Sequence, residues 1–415
     1  MAMNQSTMQT KQHQLNQTVL PHPQKLLIGC GLVVALLLSY AILSVVDLRQ
    51  LLTFWLGIGF GYTLFHARFG FTSAFRRLLA VGNGQAMRAH MIMLAVACTL
   101  FAPILASGFA FFGQTATGYV SPVGWSVVVG AFMFGIGMQL GGGCASGTLY
   151  AVGGGRSAMF ITLAAFIVGS FLGTWHWGFW VNELPSFPAI SLAESTGLGF
   201  LGAWIVQLAV FAVIFLLTYV IRRKKQPPQI KPLPTTSGVK RFFRGSWPLW
   251  AAAIALAVLN AVTLMVRGNP WGVTSAFALW GAKAAQAVGI DVTQWTYWSG
   301  AKSASLDQSV LAHSTSVLDF GVILGAFLAS VAGGLFAMKK VPFKRAIASI
   351  VGGLLMGYGA RIAFGCNIGA YFGGIASFSL HGWVWMIMAL AGTFLALYIR
   401  PLFGMSVPKS KDSFC

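Results

Sequence analysis

The stretch Gly135-Ile136-Gly137-Met138-Gln139-Leu140-Gly141-Gly142-Gly143-Cys144-Ala145-Ser146-Gly147 returns, without a gap, as Gly357-Tyr358-Gly359-Ala360-Arg361-Ile362-Ala363-Phe364-Gly365-Cys366-Asn367-Ile368-Gly369. The pairs Gly135/Gly357, Gly137/Gly359, Gly143/Gly365, Cys144/Cys366 and Gly147/Gly369 coincide, and upstream Gly130 falls on Gly352. With 50 glycines in 415 residues, glycine matches alone carry little weight. A cysteine matched between matched glycines carries more. Farther toward the N-terminus, Gly70-Phe71-Thr72-Ser73-Ala74-Phe75 recurs as Gly272-Val273-Thr274-Ser275-Ala276-Phe277. The chain therefore reads as two related halves, 47–221 and 246–405. A polar tail (1–25) and an extra apolar segment (26–46) come first, a basic linker (222–245) joins the halves, and a short tail (406–415) ends the chain.

What surrounds these motifs sets the class of protein. Hydrophobic residues make up 57% of the chain and charged residues only 8%, against about 25% charged in soluble domains. Most of the surface is thus built for lipid. Apolar runs at 26–46, 51–68, 90–112, 124–141, 158–177, 200–221, 247–266, 317–338, 346–363 and 381–400 give ten candidate spans, each near the ~20 residues a bilayer requires. The first run is too long for a signal-peptide core and no small-residue cleavage pattern follows it. The net charge of +20 falls in clusters between apolar runs, so it signals topology rather than nucleic-acid binding. Five cysteines, an odd number lying mostly inside apolar runs, are no disulfide framework.

Lysine and arginine placement orients the spans. Linker 222–245 holds Arg222, Arg223, Lys224, Lys225, Lys231, Lys240, Arg241 and Arg244 among four prolines; it reads as a flexible cytoplasmic loop. Arg76, Arg77 and Arg88, then Lys339, Lys340, Lys344 and Arg345, mark the same side, while 113–123 and 178–195 lack both residue types. Ten alternating spans satisfy every cluster with both termini inside. Span 124–141 then runs outside to inside and its counterpart 346–363 inside to outside. The expected fold is an all-α integral membrane protein of about ten transmembrane helices, with short re-entrant helices and loops and an inverted-topology repeat. Such repeats place binding sites near the midplane, at interrupted helices.

Seven glycines within Gly141–Gly155 disfavour a continuous helix. Broken backbone at membrane depth must be buried in protein or line a wet cavity. Gly142, Gly143, Cys144, Ser146, Gly147 and Thr148 thus form a candidate substrate wall, and free N–H groups at a following helix start suit an anion. Close packing through small residues is the alternative. Gly365, Cys366, Asn367 and Gly369 form the second copy. Arg361 lies five residues before Cys366, where a cation either faces a cavity or snorkels to an interface. Thr72-Ser73 and Thr274-Ser275 open two segments, 72–88 and 274–289, too short to span comfortably; their hydroxyls either bind an anion or simply cap a helix. Cys30 and Cys98 have no companion motif and read as packing residues. Cys415 ends the chain without a prenylation pattern. His176 and His381 have no partners at metal spacing, and no cofactor motif or catalytic triad appears.

At these residues the chain resembles the YeeE/YedE family of sulfur transport proteins, with Phe378-Ser379-Leu380-His381-Gly382-Trp383 and Trp271–Trp280 closer to the YedE branch. The resemblance implies an hourglass-like inverted repeat in the bacterial inner membrane that passes thiosulfate, or another sulfur anion, along cysteines. Cys144 and Cys366 take that role by resemblance. A soluble sulfur carrier docking on the cytoplasmic loop is the partner such a protein would add. The competing readings are a membrane sulfurtransferase, a selenium or sulfur supply protein, and a small-solute channel whose cysteines are incidental.

Overall fold

The computed structural model describes residues 20–228 and 235–409. Most of the polar N-terminal tail, linker residues 229–234 and Cys415 lie outside them. The chain is almost entirely helical, and its elements follow the sequence reading closely. Helix α1 (Lys25–Val45) is an unbroken apolar segment. Helix α2 (Leu48–Ala67) starts where the Asp47 side chain accepts from Gln50 N at 2.8 Å, a carboxylate N-cap. It stops at Arg68, whose φ of 48° is left-handed. Helix α3 (Phe71–Val81) has 11 residues, about 16 Å at 1.5 Å per residue, and cannot cross a ~30 Å hydrocarbon core. The expected segment 72–88 is in fact two pieces: Gly82, at φ 74°, closes α3, and α4 (Gln85–Ser107) is already under way by residue 88. The expected span 90–112 is accordingly shifted by five residues.

Helices α5 (Trp125–Gly141), α6 (Ala145–Gly153), α7 (Ser157–Trp175) and α8 (Gly199–Lys225) complete the first half. The second half holds α9 (Leu249–Arg267), α10 (Thr274–Ala287), α11 (Ser314–Ala332) and α12 (Phe343–Ile362). A π-helical segment (Asn367–Gly374) and α13 (Leu380–Ile399) follow. Among the described residues eight helices are long and apolar enough to cross a membrane, and α12 with the π-helix, bent by 42°, makes a ninth. Helix α2 is not among them, because Arg49, Gln50 and His66 lower its hydropathy. Outward-facing leucines such as Leu36 and Leu37 on α1, and Leu201 and Leu216 on α8, are the lipid-facing surface of a membrane protein rather than an anomaly.

The packing pairs repeat themselves. Helix α12 packs on α7 as α5 packs on α13; α11 packs on α2 as α4 packs on α9; α10 meets α7 as α3 meets α13. At the centre α5 crosses α12, α2 crosses α9, and α6 touches the π-helix. The α5–α12 crossing uses the repeated glycines reciprocally: Gly130 lies against the Gly359 carbonyl and Gly137 against the Gly352 carbonyl. Without hydrophobic drive between helices in lipid, such close approach is what holds them. A Cβ at Gly359 would collide with the Gly130 carbonyl. Gly359→Ala should therefore cost about 1–3 kcal/mol by overpacking and lower the thermal unfolding midpoint in detergent. Gly29→Ala on α1, with nothing within 4 Å, should leave it unchanged.

Part of the linker is folded. Helical turn Lys240–Arg244 lies against the end of α11, with Arg244 Nε donating to Ala332 O at 2.9 Å and Nη2 to Pro21 O at 2.6 Å. Tyr62 Oη donates to Phe242 O at 3.2 Å. This basic turn is docked because Arg244 finds a carbonyl at the C-terminus of α11 and a second one at Pro21.

Candidate functional site: two broken helices and an arginine-lined cavity

Each half breaks a helix at its Gly–Cys motif. Helix α5 ends at Gly142, whose φ of 86° favours glycine, and Cys144 is the N-cap of α6. Thr148 closes the turn, its N and Oγ1 both donating to Cys144 O, at 2.7 and 2.8 Å. The Cys144 thiol lies 3.6 Å from Ser146 Oγ, and Gly147 leaves room beside it: a Cβ there would stand 3.3 Å from the sulfur. In the second copy Gly365 sits at φ 152° and its carbonyl accepts from Trp385 Nε1 at 3.1 Å. Cys366 Sγ accepts from Ile368 N at 3.4 Å as the π-helix begins. Both thiols are buried, at 1% exposure. They are close enough to interact electrostatically.

Beside each thiol stands a buried polar side chain. Thr72 Oγ1 faces the Cys144 thiol itself; both amide atoms of Asn367, next to Cys366, have no hydrogen-bond partner among the described residues. Buried polar atoms are normally paired, so the Asn367 amide marks a place where a ligand or water completes the bonding.

A cavity of about 640 Å³ opens beside the linker and reaches Cys144. Its wall includes Thr72, Ser73, Gly142, Gly143 and Gly147, together with Arg68, Arg76, Arg77 and Arg156. No acidic residue lines it, so its field attracts anions. Ser146 and Thr148 are buried behind this wall. Gly365, Cys366, Asn367 and Gly369 lie deeper and do not reach the cavity. Arg361 is buried, and its guanidinium donates to Tyr297 Oη, to Thr274 O and, at 3.3 Å, to Ser170 Oγ. It thereby ties the start of α10 to α12 and α7, with Nε left unpartnered. Thr274 is buried and Ser275 half-buried at that helix start. Cys30 is exposed. Cys98 is buried with its sulfur 3.7 Å from both Gln207 Oε1 and Ile375 O.

Sequence reasoning assigned Arg76 and Arg77 to topology alone and passed over Arg68 and Arg156. It also passed over Tyr119, which closes the opposite face. The Tyr119 ring lies over the π-helix, where a Cβ on Gly373 would come within 3.0 Å and one on Gly369 within 4.0 Å. Its hydroxyl donates to Pro270 O at 2.8 Å, and its backbone N donates to Ser377 Oγ at 3.0 Å. Cys366 is thus sealed from the face opposite the linker while Cys144 borders open space. Tyr119→Ala should speed reaction of Cys366 with an impermeant thiol reagent applied to that opposite face, in a background lacking Cys30. An unchanged rate would show that other groups seal it.

These features define a polytopic α-helical membrane protein with two interrupted helices in contact, the first of which borders a basic cavity. The family model for sulphur transport matches residues 66–395, and the chain belongs to that family. It is 25% identical over 358 residues to the thiosulfate transporter TsuA of Escherichia coli, covering 82% of this chain and 92% of that protein. It is 27% identical over 361 residues to TsuA of Spirochaeta thermophila, covering 83% and 96%. The probable transporter YedE of Escherichia coli matches at 31% over 179 residues, 41% of this chain and 44% of YedE, so that match spans less than half of the relative.

Proposed function

We propose that this chain carries a small sulfur-containing anion, thiosulfate above all, across the bacterial inner membrane with both termini in the cytoplasm. The halves 47–221 and 246–405 act as inverted repeats about the α5–α12 crossing. The anion passes between Cys366 and Cys144 and leaves through the arginine-lined cavity. One observation carries the reading: two matched Gly–Cys breaks bring two buried thiols into range of each other, one against the Thr72 hydroxyl and one next to the unpartnered Asn367 amide. A thiol is a weak hydrogen-bond donor, suited to the soft terminal sulfur of thiosulfate. Weak donors in series let an ion enter and leave, as conduction demands. The names of the TsuA relatives support the substrate. The basic residues of the linker beside the cavity support a cytoplasmic side for it.

Growth tests the substrate. A sulfur-auxotrophic host lacking its own thiosulfate uptake should grow on thiosulfate when this chain is expressed. Growth on selenite or sulfite but not on thiosulfate would replace thiosulfate as the cargo.

A further inference from the structure

Asp319 is fully buried in α11, at 0% exposure, and neither carboxyl oxygen has a hydrogen-bond partner among the described residues. It sits five residues past the start of α11, about 7.5 Å inward at 1.5 Å per residue. That start lies on the face opposite the linker, where Arg267 donates to Ser314 Oγ at 2.8 Å and to Thr315 Oγ1 at 3.0 Å. Helix α4 holds the corresponding place in the first half: it too follows a short helix, and five residues past Gln85 stands His90. His90 is buried with Nδ1 unpartnered. Its ring lies 6.0 Å from Tyr371 of the π-helix, between centroids. Gln85 lines the cavity on the linker side. The two halves thus each bury a titratable side chain one and a half turns in, from opposite faces.

Asp319 is also within electrostatic range of Cys366. A carboxylate there would repel an arriving dianion, and a bare buried carboxylate is itself costly. A bound proton removes both penalties. By linkage, the anion then favours the proton as much as the proton favours the anion. From this we infer that Asp319 is a proton-binding site, loaded from the face opposite the linker, and that the anion moves with a proton. The inference rests on the transport reading above.

Arg267 of α9 is the charge that acts on Asp319, and His313, six residues before it, caps α11 with Nδ1 2.9 Å from Ser316 Oγ. Other elements packed on α11 bring Arg49 and His66, at opposite ends of α2, and Tyr150 of α6. Lys25 heads α1, while Lys283 of α10 is taken by Leu306 O and Arg244 by Ala332 O.

The test uses the full chain in proteoliposomes with a pH dye in the lumen and the membrane potential clamped. Tracer exchange of labelled thiosulfate without any gradient reports transport by itself. An acidic exterior should then drive accumulation, about tenfold per pH unit for each coupled proton, and thiosulfate addition should acidify the lumen. Asp319→Asn should keep exchange and lose the pH-driven accumulation. Asp319→Glu, which restores a carboxyl, should recover it with a shifted pH midpoint. Parent-level accumulation by Asp319→Asn, or parent exchange with no lumen acidification, overturns the inference while transport stands. Should Asp319→Asn stop exchange as well, an Asp319→Glu pH profile identical to the parent's overturns it and a shifted one supports it. Absence of exchange in the parent refutes the transport reading itself.

Discussion

Replacing Cys144 or Cys366 with serine should each reduce thiosulfate uptake by about tenfold or more, equivalent to roughly 1.4 kcal/mol on the translocation barrier. Serine keeps size and polarity but presents a hard hydroxyl where the soft terminal sulfur passes. Both positions are buried among well-packed neighbours at 1% exposure, so the swap leaves packing nearly intact and membrane expression unchanged. The double substitution should lose little more than the worse single one, since two groups acting in one path are not additive. Uptake of labelled thiosulfate at matched protein level checks this. Two serine variants carrying substrate at the parent rate would return both thiols to the role of packing residues.

Neutralising the cavity should act differently. Arg68→Gln with Arg156→Gln removes two cations from a wall that carries no acid. Arg68 also stacks on Phe65, 3.9 Å from the ring centroid, so glutamine, rather than alanine, keeps some of its bulk. The half-saturating concentration for release from the cavity side should rise by about tenfold, on the scale of electrostatic focusing in a charged cleft. The parent's dependence on ionic strength should flatten in the variant, because screening acts on the charges removed. Counterflow assays with substrate inside, at two salt concentrations, measure both. An unchanged half-saturation would confine these arginines to setting topology.

The fold was legible because lipid imposes two strong constraints, apolar length and the side on which cations fall. The ten runs lie on helices to within a few residues, apart from 90–112 and 317–338, which the apolar residues after Ser107 and Ala332 extended past the true ends. The Gly–Cys breaks were legible because glycine density and a matched cysteine are local signals. The rest of the site is assembled by packing. Arg76 and Arg77 read as topology markers in isolation, and Arg68 and Arg156 carried no signal of their own; Arg156 joins the others only because the chain returns to the same cavity three helices later. Asp319 did leave a sequence signal, a single acid inside an apolar run, which is a site by default in a membrane span. Tyr119 left none, since an aromatic residue in a loop between spans is ordinary until the π-helix glycines are seen beneath it.

The central claim is that an intact sulfur anion crosses between the two thiols. Thiosulfate carrying different isotopes in its two sulfurs, offered to proteoliposomes that contain only this chain, tests it most directly. The account predicts both labels in the lumen in equal amounts, from the first time point onward. Arrival of the terminal sulfur alone, with the other label left outside, would contradict it and point to sulfur transfer through a cysteine persulfide.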